Sequence, residues 1–250
     1  MSIVRDTTRG QNVRDLGTGL SWPAIKQYFP RAKPGSFIMP VPAYDLIYVK
    51  NPKAGCSTLV VWLDRLHTGD LDFELQYIHK EHRLPTVREV GRSKVIGMLA
   101  GNAYRFSFVR NPLRRFESVY WDKLVRSGQY RLKAAAGLGL PADPDRIVSF
   151  EEFLGAVEQQ DPVSEMDPHW RPQHVNLLHP LVTYDHVGRL ESFDTDLDRI
   201  REEAGLPHVP IEVKNVSRSS KSTDSVYDGR PDLVRRVEQI YATDFELYGY

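Results

Sequence analysis

The sequence predicts an α/β fold, with a largely parallel sheet covered by helices on both faces. Three observations predict it. Residues 46–49 (Leu-Ile-Tyr-Val) make a buried-strand run that passes through Pro52 and Gly55 into the apolar helical series Leu59, Val60, Leu63 and Leu66. Residues 104–110 alternate like a strand and pass through Asn111-Pro112 into Leu113, Phe116, Val119, Tyr120 and Leu124 at helical spacing. Residues 181–190 read as a third strand, and a helix over 193–204 follows, stopped by Gly205. Strands that alternate with helices lie parallel and bury both faces of their sheet.

The chain has 250 residues and is 41% hydrophobic, enough for the core of one domain. That domain is expected at 44–250. Residues 1–43 carry scattered glycines and prolines with little periodicity, and read as an N-terminal arm packed on the domain or facing the substrate. After the helix over 57–67, the charged segment 70–94 is broken by Pro85 and Gly91, and a short helix from about Thr86 is expected. The strand at 104–110 and a helix over 112–127 come next. The small-residue tract 134–144 reads as a mobile insertion. Ser149 and Glu152 form a capping box for a helix reaching Val157, with Phe150, Phe153, Leu154 and Val157 on its apolar face. Residues 161–180 are loop-like and 215–230 almost wholly polar, before a final helix from Pro231 to about Phe245.

The 33 basic and 33 acidic residues cancel, so the composition excludes a general polyanion binder of the nucleic-acid type. Any anion binding must come from local clusters. No apolar run reaches the length of a membrane span, and residues 1–6 lack a signal-peptide core, so a soluble, cytoplasmic protein is expected. The single cysteine, Cys56, excludes an intrachain disulfide and fits a reducing compartment. No oligomeric state is legible.

Two segments carry chemistry. Residues 50–58 (Lys-Asn-Pro-Lys-Ala-Gly-Cys-Ser-Thr) make a strand-to-helix loop whose free backbone N–H groups and helix-dipole end favour an anion, with Lys53 beside them. In the Walker pattern the lysine follows the last glycine, whereas Lys53 precedes Gly55 and Cys56 intervenes. The second segment, residues 108–120, reads Phe-Val-Arg-Asn-Pro-Leu-Arg-Arg-Phe-Glu-Ser-Val-Tyr. It places Arg110 at a strand end and Ser118 on the following helix, while Arg114 and Arg115 read as partly solvated or salt-bridged.

The first loop resembles the 5′-phosphosulfate loop of sulfotransferases that use 3′-phosphoadenosine-5′-phosphosulfate (PAPS). The second fills every fixed position of the 3′-phosphate segment of the carbohydrate-modifying sulfotransferases, F-V-R-[DN]-P-x-x-R-x-x-S-x-Y. Residues 167–173, the segment around Glu191 and the aromatic ending 241–250 resemble the same family. The resemblance implies a P-loop-like sulfotransferase fold and transfer of a sulfuryl group from PAPS to a hydroxyl of a carbohydrate or glycoconjugate, with adenosine 3′,5′-bisphosphate released. It implies that Ala54, Gly55, Cys56, Ser57 and Thr58 hold the 5′-phosphate, that Lys53 neutralises the bridging oxygen, and that Arg110 and Ser118 hold the 3′-phosphate. Arg218 and Lys221 are further candidate phosphate contacts. No metal is required.

The acceptor hydroxyl needs a base, and histidine titrates near neutrality. His82 is the first candidate, His79 the second and His169, beside Trp170, the third. The spacing of His79 and His82 is not that of a zinc site. Two other readings stay open: a P-loop-like nucleotide or small-molecule kinase, and a noncatalytic nucleotide-binding module.

Overall fold

The computed structural model describes residues 19–73, 77–126, 128–141, 143–211 and 225–250. Its four strands are β1 (Ile38–Val41), β2 (Leu46–Val49), β3 (Tyr104–Val109) and β4 (His186–Arg189), and they lie in the order β1-β2-β3-β4. β2, β3 and β4 are parallel neighbours, with Ile47 opposite Arg105 and Phe108 opposite Gly188, while β1 is an antiparallel edge strand.

Alternation along β2 sends Ile47 and Val49 to one face and Leu46 and Tyr48 to the other. On the first face they meet Ile25, Val95, Leu177 and Leu178. On the second they meet the helix Cys56–Thr68 through Leu59, Val60, Trp62 and Leu63, and the helix Phe193–Glu203 through Leu197 and Ile200. Helices thus cover both faces, as the alternating pattern requires. A third core of aromatic rings lies beside the sheet. There Phe116 stacks on Phe153 with centroids 4.5 Å apart, among Tyr120, Phe150, Trp170 and Tyr241.

Several sequence expectations need correction. Ile38–Val41, placed in the arm, is a fully buried strand of the sheet; Pro40 is tolerated there because β1 is an edge strand. The tract at 134–144 is not a loose insertion at its start: Gly128–Gly137 is a helix, and Ala134, Ala135 and Leu138 pack into the aromatic core. The third strand spans only 186–189, and the last helix breaks at Tyr241 into Pro231–Ile240 and Ala242–Tyr248. The helix from Pro112 continues beyond Val119 as a π-helical stretch, Tyr120–Arg126. The capping box of Ser149 with Glu152 is formed as expected, and the short helix expected from Thr86 proves to start with a second one, Thr86 with Glu89. Among the described residues no helix is long and apolar enough to cross a membrane.

Gly188 marks the tightest approach in the sheet. A Cβ there would lie 2.6 Å from the Phe108 ring and 3.0 Å from Asp196 Cβ. Gly188→Ala is therefore expected to cost about 1 to 3 kcal/mol of stability, the scale of an overpacked core. Urea unfolding reads this as a lower midpoint at unchanged slope; an unshifted midpoint would mean that Phe108 moves aside freely.

Candidate functional site

β2 and β3 are adjacent and parallel, so the segments that leave them emerge side by side at the carboxyl edge of the sheet, where open α/β sheets bind ligands. The loop after β2 reaches the helix Cys56–Thr68 through Lys53 and Gly55, both left-handed, at φ 70° and 77°. Only glycine fits at position 55, since a Cβ would also lie 3.0 Å from Leu190. No side chain caps this helix, which leaves its first turn open to an anion.

Lys53 Nζ lies 3.0 Å from Asp122 Oδ2, which Lys123 also approaches at 3.3 Å. Burial lowers the Lys53 pKa and Asp122 opposes that fall. The Asp122 carboxyl, pushed up by burial, is held below its ordinary value overall by the two lysines.

The Arg110 guanidinium makes no hydrogen bond or ion pair among the described residues, although its backbone is fixed at both ends. Its N–H donates to Gln173 Oε1 at 3.0 Å, and its carbonyl accepts from Gln173 Nε2 at 2.8 Å. Burial lowers the Arg110 pKa, against the attraction of Glu191 and Glu117. Eight residues on, the Ser118 hydroxyl is buried with no hydrogen-bond partner among the described residues. A buried hydroxyl without a partner is costly unless a ligand completes it, and the half-buried Arg110 guanidinium, with no hydrogen bond among the described residues, remains able to donate to an anion, so these residues fit a phosphate.

A buried polar frame holds the two segments together. Asn51 donates to Phe108 O at 3.0 Å and to Gln173 Oε1 at 2.9 Å, and accepts from Asn176. Asp244 accepts the backbone N–H groups of Gln173 and His174. Arg115, read from sequence as a surface group, is fully buried and donates to the carbonyls of Pro52, Pro168 and Arg171 at 2.9 to 3.0 Å. It clamps the loop after β2 to the segment that carries His169. Arg114 is the exposed one of the pair. Glu191 accepts from the Asn111 N–H and the Tyr250 hydroxyl, and so ties the segment after β3 to the C-terminus.

The three histidines lie within one electrostatic neighbourhood, but they differ. His79, on the short helix Ile78–Glu81, is the one that touches the loop, with Nε2 3.3 Å from Ser57 Oγ and 3.9 Å from Cys56 Sγ. Burial, then Lys50, His169, His82 and Lys123, push its pKa down to about 4. His82 has a buried Nδ1 without a partner, and burial and Lys50 lower its pKa. His169 differs from both. Its Nδ1 is 2.6 Å from Asp167 Oδ1, which also accepts the His169 backbone N–H. Burial lowers the His169 pKa, Asp167 raises it, and Lys123 and Lys53 are among its charged neighbours.

The model of the sulfotransferase family matches residues 37–250. The chain belongs to this family. It is similar to carbohydrate sulfotransferase 14 of Homo sapiens, 29% identical over 226 residues that cover 83% of this chain and 58% of the relative. Carbohydrate sulfotransferase 12 of Mus musculus is 25% identical over 244 residues, with the same coverage of 83% and 58%. Carbohydrate sulfotransferase 8 of Homo sapiens is 28% identical over 171 residues, 61% of this chain and 39% of the relative. The chain thus spans somewhat over half the length of the first two relatives. No solved structure matches it.

The sulfotransferase match encloses both predicted segments, and the fold brings Lys53, residues 54–58, His79 and His169 into one region. Arg218 and Lys221 lie outside the described residues. Asp122 and Lys123 carry no local signal, because their relation to the loop arises only on folding; Lys50 lies in the loop itself, but its closeness to the histidines also arises only on folding. Asp167 could have been found: an Asp two residues before a histidine can accept that residue's N–H in an Asx turn. Among the described residues no group of three or more His, Cys, Asp or Glu side chains could hold a metal ion.

Proposed function

We propose that this protein transfers the sulfuryl group of PAPS to a hydroxyl of a carbohydrate or glycoconjugate. The observation that carries this reading is the paired exit from β2 and β3: an uncapped helix start with Lys53 beside it, next to a segment whose Arg110 guanidinium and Ser118 hydroxyl make no hydrogen bond among the described residues. A carbohydrate acceptor is favoured by the relatives, which are named as carbohydrate sulfotransferases.

In this reading the N–H groups of residues 54–58, with the hydroxyls of Ser57 and Thr58, hold the 5′-phosphate. Arg110 and Ser118 hold the 3′-phosphate. The acceptor oxygen bonds to sulfur as the bond from sulfur to the bridging oxygen breaks, in line, with charge spread over peripheral oxygens as in phosphoryl transfer. Lys53 neutralises the bridging oxygen as it becomes a phosphate oxygen of adenosine 3′,5′-bisphosphate. The acceptor proton passes to a histidine, and the geometry favours His169. A base that ends as an imidazolium is stabilised by a carboxylate on its far nitrogen, and Asp167 supplies one. His79 lies among cations and resists protonation, which suits it to hold Ser57 rather than to accept a proton.

The test is donor discrimination. Arg110→Ala should weaken adenosine 3′,5′-bisphosphate binding by about 2 to 4 kcal/mol, the scale of losing a charge-assisted contact, and change AMP binding far less. Calorimetry that finds equal losses for both would remove the assignment, and preferential binding of ATP by the unsubstituted protein would favour a kinase.

A further inference from the structure

A cavity of about 870 Å³ lies away from the two donor segments, within the size range of pockets that enclose organic ligands. Its walls come from the lead-in to β1 and from the Thr86-capped helix Val87–Val90. Trp22 gives it a half-buried aromatic face, the buried Phe29 lies in its wall, and Lys26, Lys33, Arg88 and Arg92 ring it with exposed cations. Among the described residues no carboxylate lines it. Glu89, the acidic neighbour on the same helix, is occupied in the capping box with Thr86. A chain with no net charge has therefore gathered four positive side chains around one aromatic cavity.

Three physical links join this cavity to the histidine cluster. Phe29 stacks on Phe37 with centroids 4.9 Å apart, and Lys50, which lowers the pKa of both His79 and His82, sits 5.0 Å above the Phe37 ring. The Arg171 guanidinium lies 4.6 Å from the centre of the Phe29 ring, in the segment that carries His169. Thr86 follows His82 by four residues of chain. The cavity and the histidine cluster thus lie on either side of a wall of packed side chains, Phe29, Phe37 and Arg171.

We propose that this cavity is an accessory subsite for an anionic saccharide segment. The carboxylate or sulfate-ester groups of the segment meet Lys26, Lys33, Arg88 and Arg92, and a sugar face packs on the half-buried Trp22. Arginine suits such groups because its planar fork donates two parallel hydrogen bonds, and aromatic rings offer a sugar an apolar platform. This inference rests on the reading of the acceptor as a carbohydrate, but not on the assignment of the donor site.

The experiment measures binding of two probes, a size-defined heparin oligosaccharide and an uncharged cello-oligosaccharide of similar length, to the full chain and to R88E/R92E. The unsubstituted protein is expected to bind heparin in a salt-dependent way and to bind the neutral sugar much less. R88E/R92E is expected to lose about tenfold or more in heparin affinity, the scale of reversing two exposed contacts, while adenosine 3′,5′-bisphosphate binds both proteins alike. Trp22→Phe follows the same site independently: it should abolish most of the heparin-induced change in tryptophan fluorescence. Equal heparin affinity in the two proteins, or no heparin binding by either, overturns the subsite. If bisphosphate binding persists in that event, the donor site stands; if the unsubstituted protein binds heparin through these arginines but not the bisphosphate, the donor reading falls and the subsite remains.

Discussion

Lys53→Ala is expected to lower kcat by about 100- to 1,000-fold, the cost of removing one preorganised group from a developing charge, while donor affinity changes much less. The asymmetry follows from the chemistry. In the bound donor the bridging oxygen shares its electrons with sulfur, and it gains negative charge only as that bond breaks. An ammonium beside it therefore acts mostly in the transition state. Lys53 is suited to this because it is largely buried, with its side chain 17% exposed, in a setting where a charge interacts more strongly than in water. Asp122 keeps the ammonium charged despite burial, so its loss has a readable consequence. Asp122→Asn removes the anionic neighbour and lowers the Lys53 pKa further, which should move the alkaline limb of kcat/KM for the donor to lower pH. Steady-state kinetics of Lys53→Ala beside calorimetric donor affinity decide the point. A near-normal kcat with a raised KM would reduce Lys53 to a ground-state phosphate anchor.

What the sequence made legible here was local. The transitions at 46–58 and 104–120 could be read because a strand run, a Pro or Gly break and a helical apolar series are contiguous, and the helix from Ser149 because its capping box acts over three residues. The elements that escaped depend on partners far along the chain. β1 hid behind Pro40, which argues against a strand unless its edge position is known. Ala134 and Ala135 looked like spacer because small residues give little hydrophobic signal, yet their size is what lets that helix pack closely on the aromatic core. Arg115 looked like a surface charge because arginines usually are, but three carbonyls from two distant loops converge on its guanidinium. The same holds at the site. Lys53 was legible by its place in a motif, whereas Asp122 is 69 residues away. Three candidate histidines could be named, and the one local sign that set His169 apart, an Asp two residues before it, does not by itself say that the carboxylate also meets the ring. Their ranking comes from contacts: His79 rests on Ser57, His82 has its Nδ1 enclosed without a partner, and His169 has the carboxylate.

That carboxylate gives His169 the second large effect. His169→Ala is expected to lower kcat by about 100- to 10,000-fold, the range for losing a positioned general base, with bisphosphate affinity nearly unchanged. His79→Ala should instead weaken donor binding, since it removes the partner of Ser57, and His82→Ala should act mainly through packing. The pH profile separates a base from a mere contact. A base works only when neutral, so the rate must fall as pH drops through the His169 pKa, and that acid limb should vanish in His169→Ala. Asp167→Asn tests the pairing with a distinct sign. An anionic neighbour favours the imidazolium, so its loss lowers the His169 pKa and makes it a weaker base: the acid limb should move to lower pH while the plateau rate falls. If the substitution lowers the plateau but leaves the limb in place, Asp167 only orients the ring. If His169→Ala turns over normally and His82→Ala does not, the proton goes to the segment between the two donor motifs, and the carboxylate beside His169 serves the fold of its own loop.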